Sequence, residues 1–119
     1  PIRCSSLRDL KQATLMVSNT EYRQGKIDPF KGAVSALKMA GSTAYRIALV
    51  AKGEADLYLS VEDKNEWDIC AADILIHEAG GLLTDLSGQQ RRYNQTNPHI
   101  PEGIIAGNKF LIREILKLL

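Results

Sequence analysis

Apolar and polar positions fall in short blocks along the chain, and each block predicts an element. Thr14–Val17 (TLMV) is apolar, partly β-branched and ended by Ser18-Asn19, as a buried strand would be. Residues 21–26 are polar and hold Gly25, which predicts a loop. Asp28-Pro29 has the form of an N-cap followed by proline at the first helical position. Residues 29–39 stay open between two readings, because Gly32 weakens a helix and residues 34–39 read equally as a strand running into Gly41.

Residues 42–52 predict a helix with Ala44, Ile47, Ala48 and Ala51 on one face, Ser42 or Thr43 as cap and Gly53 as its end. Residues 55–59 (ADLYL) predict a strand, and residues 61–66 a charged loop. The clearest helix spans residues 68–79, where Ile69, Ala72, Ile76 and Ala79 form a buried stripe that stops at Gly80-Gly81. Residues 82–86 predict a strand closed by a Ser87-Gly88 turn, and residues 103–106 another short strand. Residues 109–119 predict an amphipathic helix carrying Phe110, Ile112, Ile115, Leu116 and Leu119. Strands alternating with helices predict an α/β fold, layered helix/sheet/helix around a mostly parallel sheet, with residues 1–119 as one domain.

Composition narrows the function classes. With 119 residues, 45% apolar and 24% charged, the chain can bury a core, which argues against disorder, collagen and coiled coil. Fifteen basic against fourteen acidic residues leave a net charge of +1, so a nucleic-acid polymer is not an expected partner. Cys4 and Cys70 make neither a disulfide framework nor a zinc spacing, which fits a reducing compartment such as the cytoplasm. No apolar run approaches the roughly 18 residues of a membrane span, and no signal peptide is visible. The first residue is Pro1 rather than Met, so the chain is expected to be a processed protein or part of a longer one.

Two places could carry chemistry. Asp68 stands at the start of the strongest helix, where free N–H groups and the helix dipole favour a carboxylate. It reads either as a cap or as a ligand for a hard cation such as Mg²⁺, with Trp67 as a packing wedge that fixes the turn. Gly41-Ser42-Thr43 opens the other helix and is either an ordinary cap or a seat for a phosphate or sugar hydroxyl. His77 and Glu78 read as helix-surface residues, His99 has no identifiable partner in its loop, and Cys70 reads as packing. No Walker loop, GxSxG elbow or CxxC pair is present.

The stretch WDICAADILIHEAGG, residues 67–81, resembles the second signature of the inositol monophosphatase superfamily. GSTAYRIALVAKGEADLYL, residues 41–59, is similar to the glycine-led helix and following strand of that family. The tail fits as well: LLTDLSG, then Tyr93-Asn94, then GIIAGN before a final helix. The resemblance runs from about Thr14 to the C-terminus. It implies a Mg²⁺-dependent, lithium-sensitive phosphatase of small phosphorylated metabolites. It implies that Asp68 is a metal ligand that also touches substrate, and that Gly41, Ser42 and Thr43 line the substrate. The substrate-contacting glutamate of inositol phosphatases corresponds to Ser60 here.

The length of the loop between Tyr58 and Trp67, and the Tyr93-Asn94 pair, resemble the 3'(2'),5'-bisphosphate nucleotidase branch, which implies 3'(2')-phosphoadenosine 5'-phosphate as substrate. Against that branch, Tyr45 followed by Arg46 stands where it has a lysine, and Glu21 where it has a histidine. The family's first half supplies a glutamate and a DPxDGT loop that hold most of the metal and phosphate. Asp28-Pro29-Phe30-Lys31-Gly32 is not that loop, so the resemblance covers the C-terminal domain. An inositol-phosphate or sugar-phosphate phosphatase, a non-catalytic binding domain of the same fold, and an enzyme completed by a separate chain are the alternatives. A homodimer is one assembly open to it.

Overall fold

In the computed structural model, residues 2–90, 93 and 97–119 are described. The elements follow in the order β1 (Thr14–Val17), α1 (Asn19–Arg23), α2 (Asp28–Lys31), β2 (Ala36–Met39), α3 (Thr43–Ala51), β3 (Leu57–Ser60), β4 (Lys64–Asn65), α4 (Glu66–Glu78), β5 (Leu82–Thr84), β6 (His99–Ile100), β7 (Ile104–Gly107) and α5 (Lys109–Leu116). β1 pairs in parallel with β2, Thr14 opposite Ala36, and with β3, Leu15 opposite Leu57. β7 lies antiparallel between β3 and β5, completing the order β2-β1-β3-β7-β5. Four strands therefore point one way, and β7 alone runs against them. No helix is described between β5 and β7, and an antiparallel neighbour needs no crossover helix, which is why a strand–helix alternation read as mostly parallel hides the reversed strand.

The strands inside the sheet are buried on both faces while the edge strand β2 is largely exposed, and side chains alternate across the sheet. Met16, Tyr58, Ile104 and Ala106 face the layer of α3 and α4, where they meet Ile47, Val50, Ile69, Ala72 and Ile76. Leu15, Val17, Leu57, Leu59 and Ile105 face the opposite layer, where they meet Ile27, Phe30, Leu111, Ile112 and Ile115. This is the expected helix/sheet/helix layering. The stripe Ile69, Ala72, Ile76 and Ala79 is buried along its whole length. At about 25 cal/mol per Å² of apolar surface, each fully buried Leu or Ile on these faces contributes roughly 1.5–3 kcal/mol before entropy is subtracted.

Some local expectations differ, among them the charged loop expected over residues 61–66, which holds β4 and the first residue of α4. Residues 21–26 do not form a plain loop, because Ser18 caps α1 by accepting from Glu21 N–H at 3.0 Å. Asp28 is the first residue of α2 rather than its cap, with Pro29 second and Ile27 in the cap position. Asp28 pairs instead with Lys31 at 2.7 Å. The open stretch resolves into both readings, a short helix and then β2. In α3, Ala44 is exposed, and the buried face is Ile47, Leu49, Val50 and Ala51, set by the larger side chains.

Candidate functional site

Parallel pairing of β1, β2 and β3 brings their carboxyl ends to one edge of the sheet. Each is followed at that edge by a helix start: Ser18 before α1, Ser42 before α3, and the residues 61–65 that lead into α4. Crevices outside the carboxyl ends of parallel strands are where α/β folds place ligands, since helix N–H groups point there. Both sequence candidates, the Gly41-Ser42-Thr43 turn and Asp68, lie on this edge, at the starts of two helices that pack together.

The turn before α3 is held from inside. Arg46 Nε donates to Ala40 O at 2.6 Å, and its guanidinium donates to the Tyr58 hydroxyl at 3.3 Å. Burial pushes the Tyr58 pKa up, with the Arg46 hydrogen bond opposing it. Arg46 thus braces the turn from the core side, while Tyr45 is 55% exposed. Ser42 sits at φ +66°, an uncommon conformation for a residue with a side chain, and its Oγ accepts from Tyr45 N–H at 3.5 Å. Gly41 lines a shallow cleft of about 400 Å³ with Asn19, Met39 and Ala40.

Asp68 occupies the third position of α4 rather than the cap, which is Asn65. Its Oδ2 accepts from Asn65 N–H at 3.2 Å. The residue is exposed, and its other oxygen has no partner among the described residues. An exposed carboxylate fixed at a helix start, with one oxygen free, is a suitable hard-cation ligand. Among the described residues no three His, Cys, Asp or Glu side chains come together as a metal-holding group. Trp67 does not wedge the turn: it is 71% exposed, because the preceding Glu66 takes the buried position.

Ser60 is placed differently from a substrate-facing group. It is fully buried, and its hydroxyl donates to Glu21 Oε2 at 2.8 Å. Glu21 also accepts from Val61 N–H at 2.8 Å and from the Ser18 hydroxyl at 3.1 Å, and is itself 2% exposed. This carboxylate ties the ends of β1 and β3 together.

Two histidines have partners the sequence reading did not supply. His99 Nε2 lies 3.1 Å from Asp63 Oδ2, across the small β4–β6 ladder. Glu102 N–H, donating at 2.9 Å, is the largest influence holding the Asp63 carboxyl below its ordinary range, with His99 adding to it. His77 Nδ1 lies 3.0 Å from Asp73 Oδ1, and its Nε2 lies 3.0 Å from Gln90 Oε1. Tyr93 donates a short hydrogen bond to the buried Asp73, and burial and that carboxylate raise the phenol well above a tyrosine's usual value. Asp73 and His77 are one helical turn apart, a spacing visible in the sequence. Asn94, singled out with Tyr93, lies outside the described residues.

The profile of the inositol monophosphatase family matches residues 1–118. The chain belongs to the inositol monophosphatase family. It is 31% identical over 118 residues to inositol monophosphatase 3 of Solanum lycopersicum, covering 88% of this chain and 44% of that protein. A 3'(2'),5'-bisphosphate nucleotidase CysQ of Aggregatibacter actinomycetemcomitans is 33% identical over 69 residues, covering 58% of this chain and 26% of that one. Among solved structures, an IMPase of Thermotoga maritima superimposes with a TM-score of 0.81 at 25% identity, over 98% of this chain and 44% of that chain. The chain spans less than half the length of these relatives. No helix among the described residues is long and apolar enough to cross a membrane.

Proposed function

We propose that this chain is the C-terminal part of a Mg²⁺-dependent phosphomonoesterase that hydrolyses a small phosphorylated alcohol of the inositol 1-phosphate type. The observation that carries this reading is the exposed Asp68, with one free oxygen, at the start of α4 beside the start of α3. Family membership supplies the reaction class, and the name of the Solanum relative supports the polyol substrate.

When bound, Mg²⁺ would supply charge to activate a water and to stabilise the leaving alkoxide. Asp68 would hold it through its unpartnered oxygen, while the other keeps the Asn65 N–H and so the side-chain direction. The Gly41-Ser42-Thr43 turn, braced by Arg46, would orient the substrate with helix N–H groups and hydroxyls. Further carboxylates must come from the part of the protein that this chain lacks, so the isolated chain would release no phosphate and bind Mg²⁺ weakly.

The nucleotidase reading, with 3'(2')-phosphoadenosine 5'-phosphate as substrate, has one observation in its favour. Ser60, at the position of the inositol-contacting glutamate, is buried on Glu21 and offers no carboxylate to a polyol ring. Comparing kcat/KM of the complete protein for inositol 1-phosphate and for 3'-phosphoadenosine 5'-phosphate decides between them. A higher value for the first is expected; a higher value for the second assigns the nucleotidase reading, and no turnover of either with Mg²⁺ rejects the phosphatase reading itself.

A further inference from the structure

At the far end of α4 from Asp68 lies a cleft of about 500 Å³, bounded by residues 3–8, the α4 terminus at Ala79 and Gly80, and the start of α5. Eleven residues of helix separate Asp68 from Ala79, which is about 16 Å at 1.5 Å per residue. Three cations, Arg3, Arg8 and Lys109, line the cleft, and no carboxylate does. None of the three takes part in an ion pair among the described residues. Asp9, the nearest acid in sequence, is turned to the Lys11 N–H at 3.0 Å.

The walls are fixed. Cys4 N–H donates to Ala79 O at 3.0 Å, which pins one end of the segment to α4. The buried Asn108 pins the other end, its Nδ2 donating to Ser5 O and to Leu7 O, each at 2.8 Å. Phe110 forms an aromatic floor, with the Arg8 guanidinium 4.0 Å and the Lys109 ammonium 5.3 Å from its centroid. Ser5 and Ser6 also line the cleft, and the Ser5 hydroxyl accepts from Leu7 N–H at 3.1 Å. Three cations lining one cleft with no carboxylate among them attract an anion and can donate hydrogen bonds to it.

We propose that this cleft binds a small, multiply charged anion of the phosphate class, at a site separate from the Asp68 edge. Arginine forks match the tetrahedral oxygens of a phosphoryl group. The proposal does not depend on the phosphatase reading, since it uses no residue of the Asp68 edge.

The test uses Cys4, which lines the cleft, as a local reporter in the complete protein. Its alkylation rate by iodoacetamide is followed by mass spectrometry of the peptide that contains it, with inorganic pyrophosphate as probe. EDTA keeps divalent metal out of the reaction, and sodium chloride at equal ionic strength is the control. Pyrophosphate should slow alkylation of Cys4 and leave Cys70 unchanged. The exposed pair Arg3→Ala/Lys109→Ala should raise the half-protecting concentration by about tenfold or more. Circular dichroism of the variant should match the parent. Absence of protection at millimolar pyrophosphate, equal protection by chloride, or unchanged protection in the folded variant each overturns the proposal. Because the readout is at Cys4, a failure here leaves the kinetic comparison of substrates untouched.

Discussion

The Ser60 hydroxyl donates to Glu21 at 2.8 Å across 39 residues of chain, and neither side chain reaches solvent. By the resemblance in sequence, Ser60 corresponds to a glutamate of inositol phosphatases and Glu21 to a histidine of the nucleotidases. In this structure the two positions form one contact. A carboxylate is present near the end of β3, but it arrives from α1 and is consumed by Ser60, Val61 and Ser18.

That contact predicts a paired mutational outcome. Glu21→Ala leaves three donors without an acceptor, two of them buried at about 1–3 kcal/mol each, so a loss of at least about 2 kcal/mol is expected in urea denaturation. Ser60→Glu places a second carboxylate against the first and should also destabilise. Adding Glu21→Gln should recover part of that loss, because it removes the like charge. An Ser60→Glu variant as stable as the parent would show that the pair does not hold the edge together.

Asp68→Asn keeps an oxygen that can accept from Asn65 N–H but removes the charge a cation needs. In the complete protein, phosphatase kcat should fall by orders of magnitude while Tm stays within about 2 °C. Retained activity in this variant would remove Asp68 from the metal site.

Much of the fold was legible because burial is periodic. The short apolar runs of β1 and β3, buried on both faces, and the stripe along α4 follow directly from apolar spacing, and β1 and α5 start where their sequences predict. The short helix α1 was not legible, since its stability comes from the Ser18 cap and from Glu21 reaching another strand, neither of which leaves a periodic trace. Reversal of β7 was hidden for the same kind of reason: a strand's direction is decided by its neighbours and not by its own residues. The positions of Asp68 and the glycine-led turn at two helix starts could be read from the sequence. The bracing by Arg46 could not, because residues 40, 46 and 58 meet only in three dimensions.

Gly103 marks how tightly β7 is laid against β3. It sits at φ +116°, and a Cβ there would lie 2.0 Å from Ser60 O. Backbone, not a flexible side chain, is the obstacle, so neither strand can yield cheaply. Gly103→Ala should cost more than about 2 kcal/mol in thermal or urea denaturation, well beyond a neutral surface change. Because the clash falls on Ser60, amide resonances of Ser60 and Val61 should shift most. A variant with unchanged stability and spectra would mean that the strands approach less closely.

Stability should depend on the protonation of His77 in a direction fixed by its partners. Nδ1 faces two acceptors, the Asp73 carbonyl at 3.1 Å and carboxylate at 3.0 Å, and Nε2 faces Gln90 Oε1 at 3.0 Å. Only the doubly protonated ring donates at both ends at once. The hydrogen bond to Asp73 O, then those to Gln90 and the Asp73 carboxylate, raise the pKa above the ordinary 6.5, with partial burial opposing them. A folded-state pKa above the unfolded one means that the protonated ring adds stability fully below pH 6.5, and that this is lost as pH rises through the folded value. The ring is nearly half exposed, so solvent screening keeps the effect small. The Tm difference between the parent and His77→Gln should therefore be largest near pH 5.5 and shrink toward pH 8.5. A difference that is flat or grows across that range would mean that His77 is not charged in the folded protein.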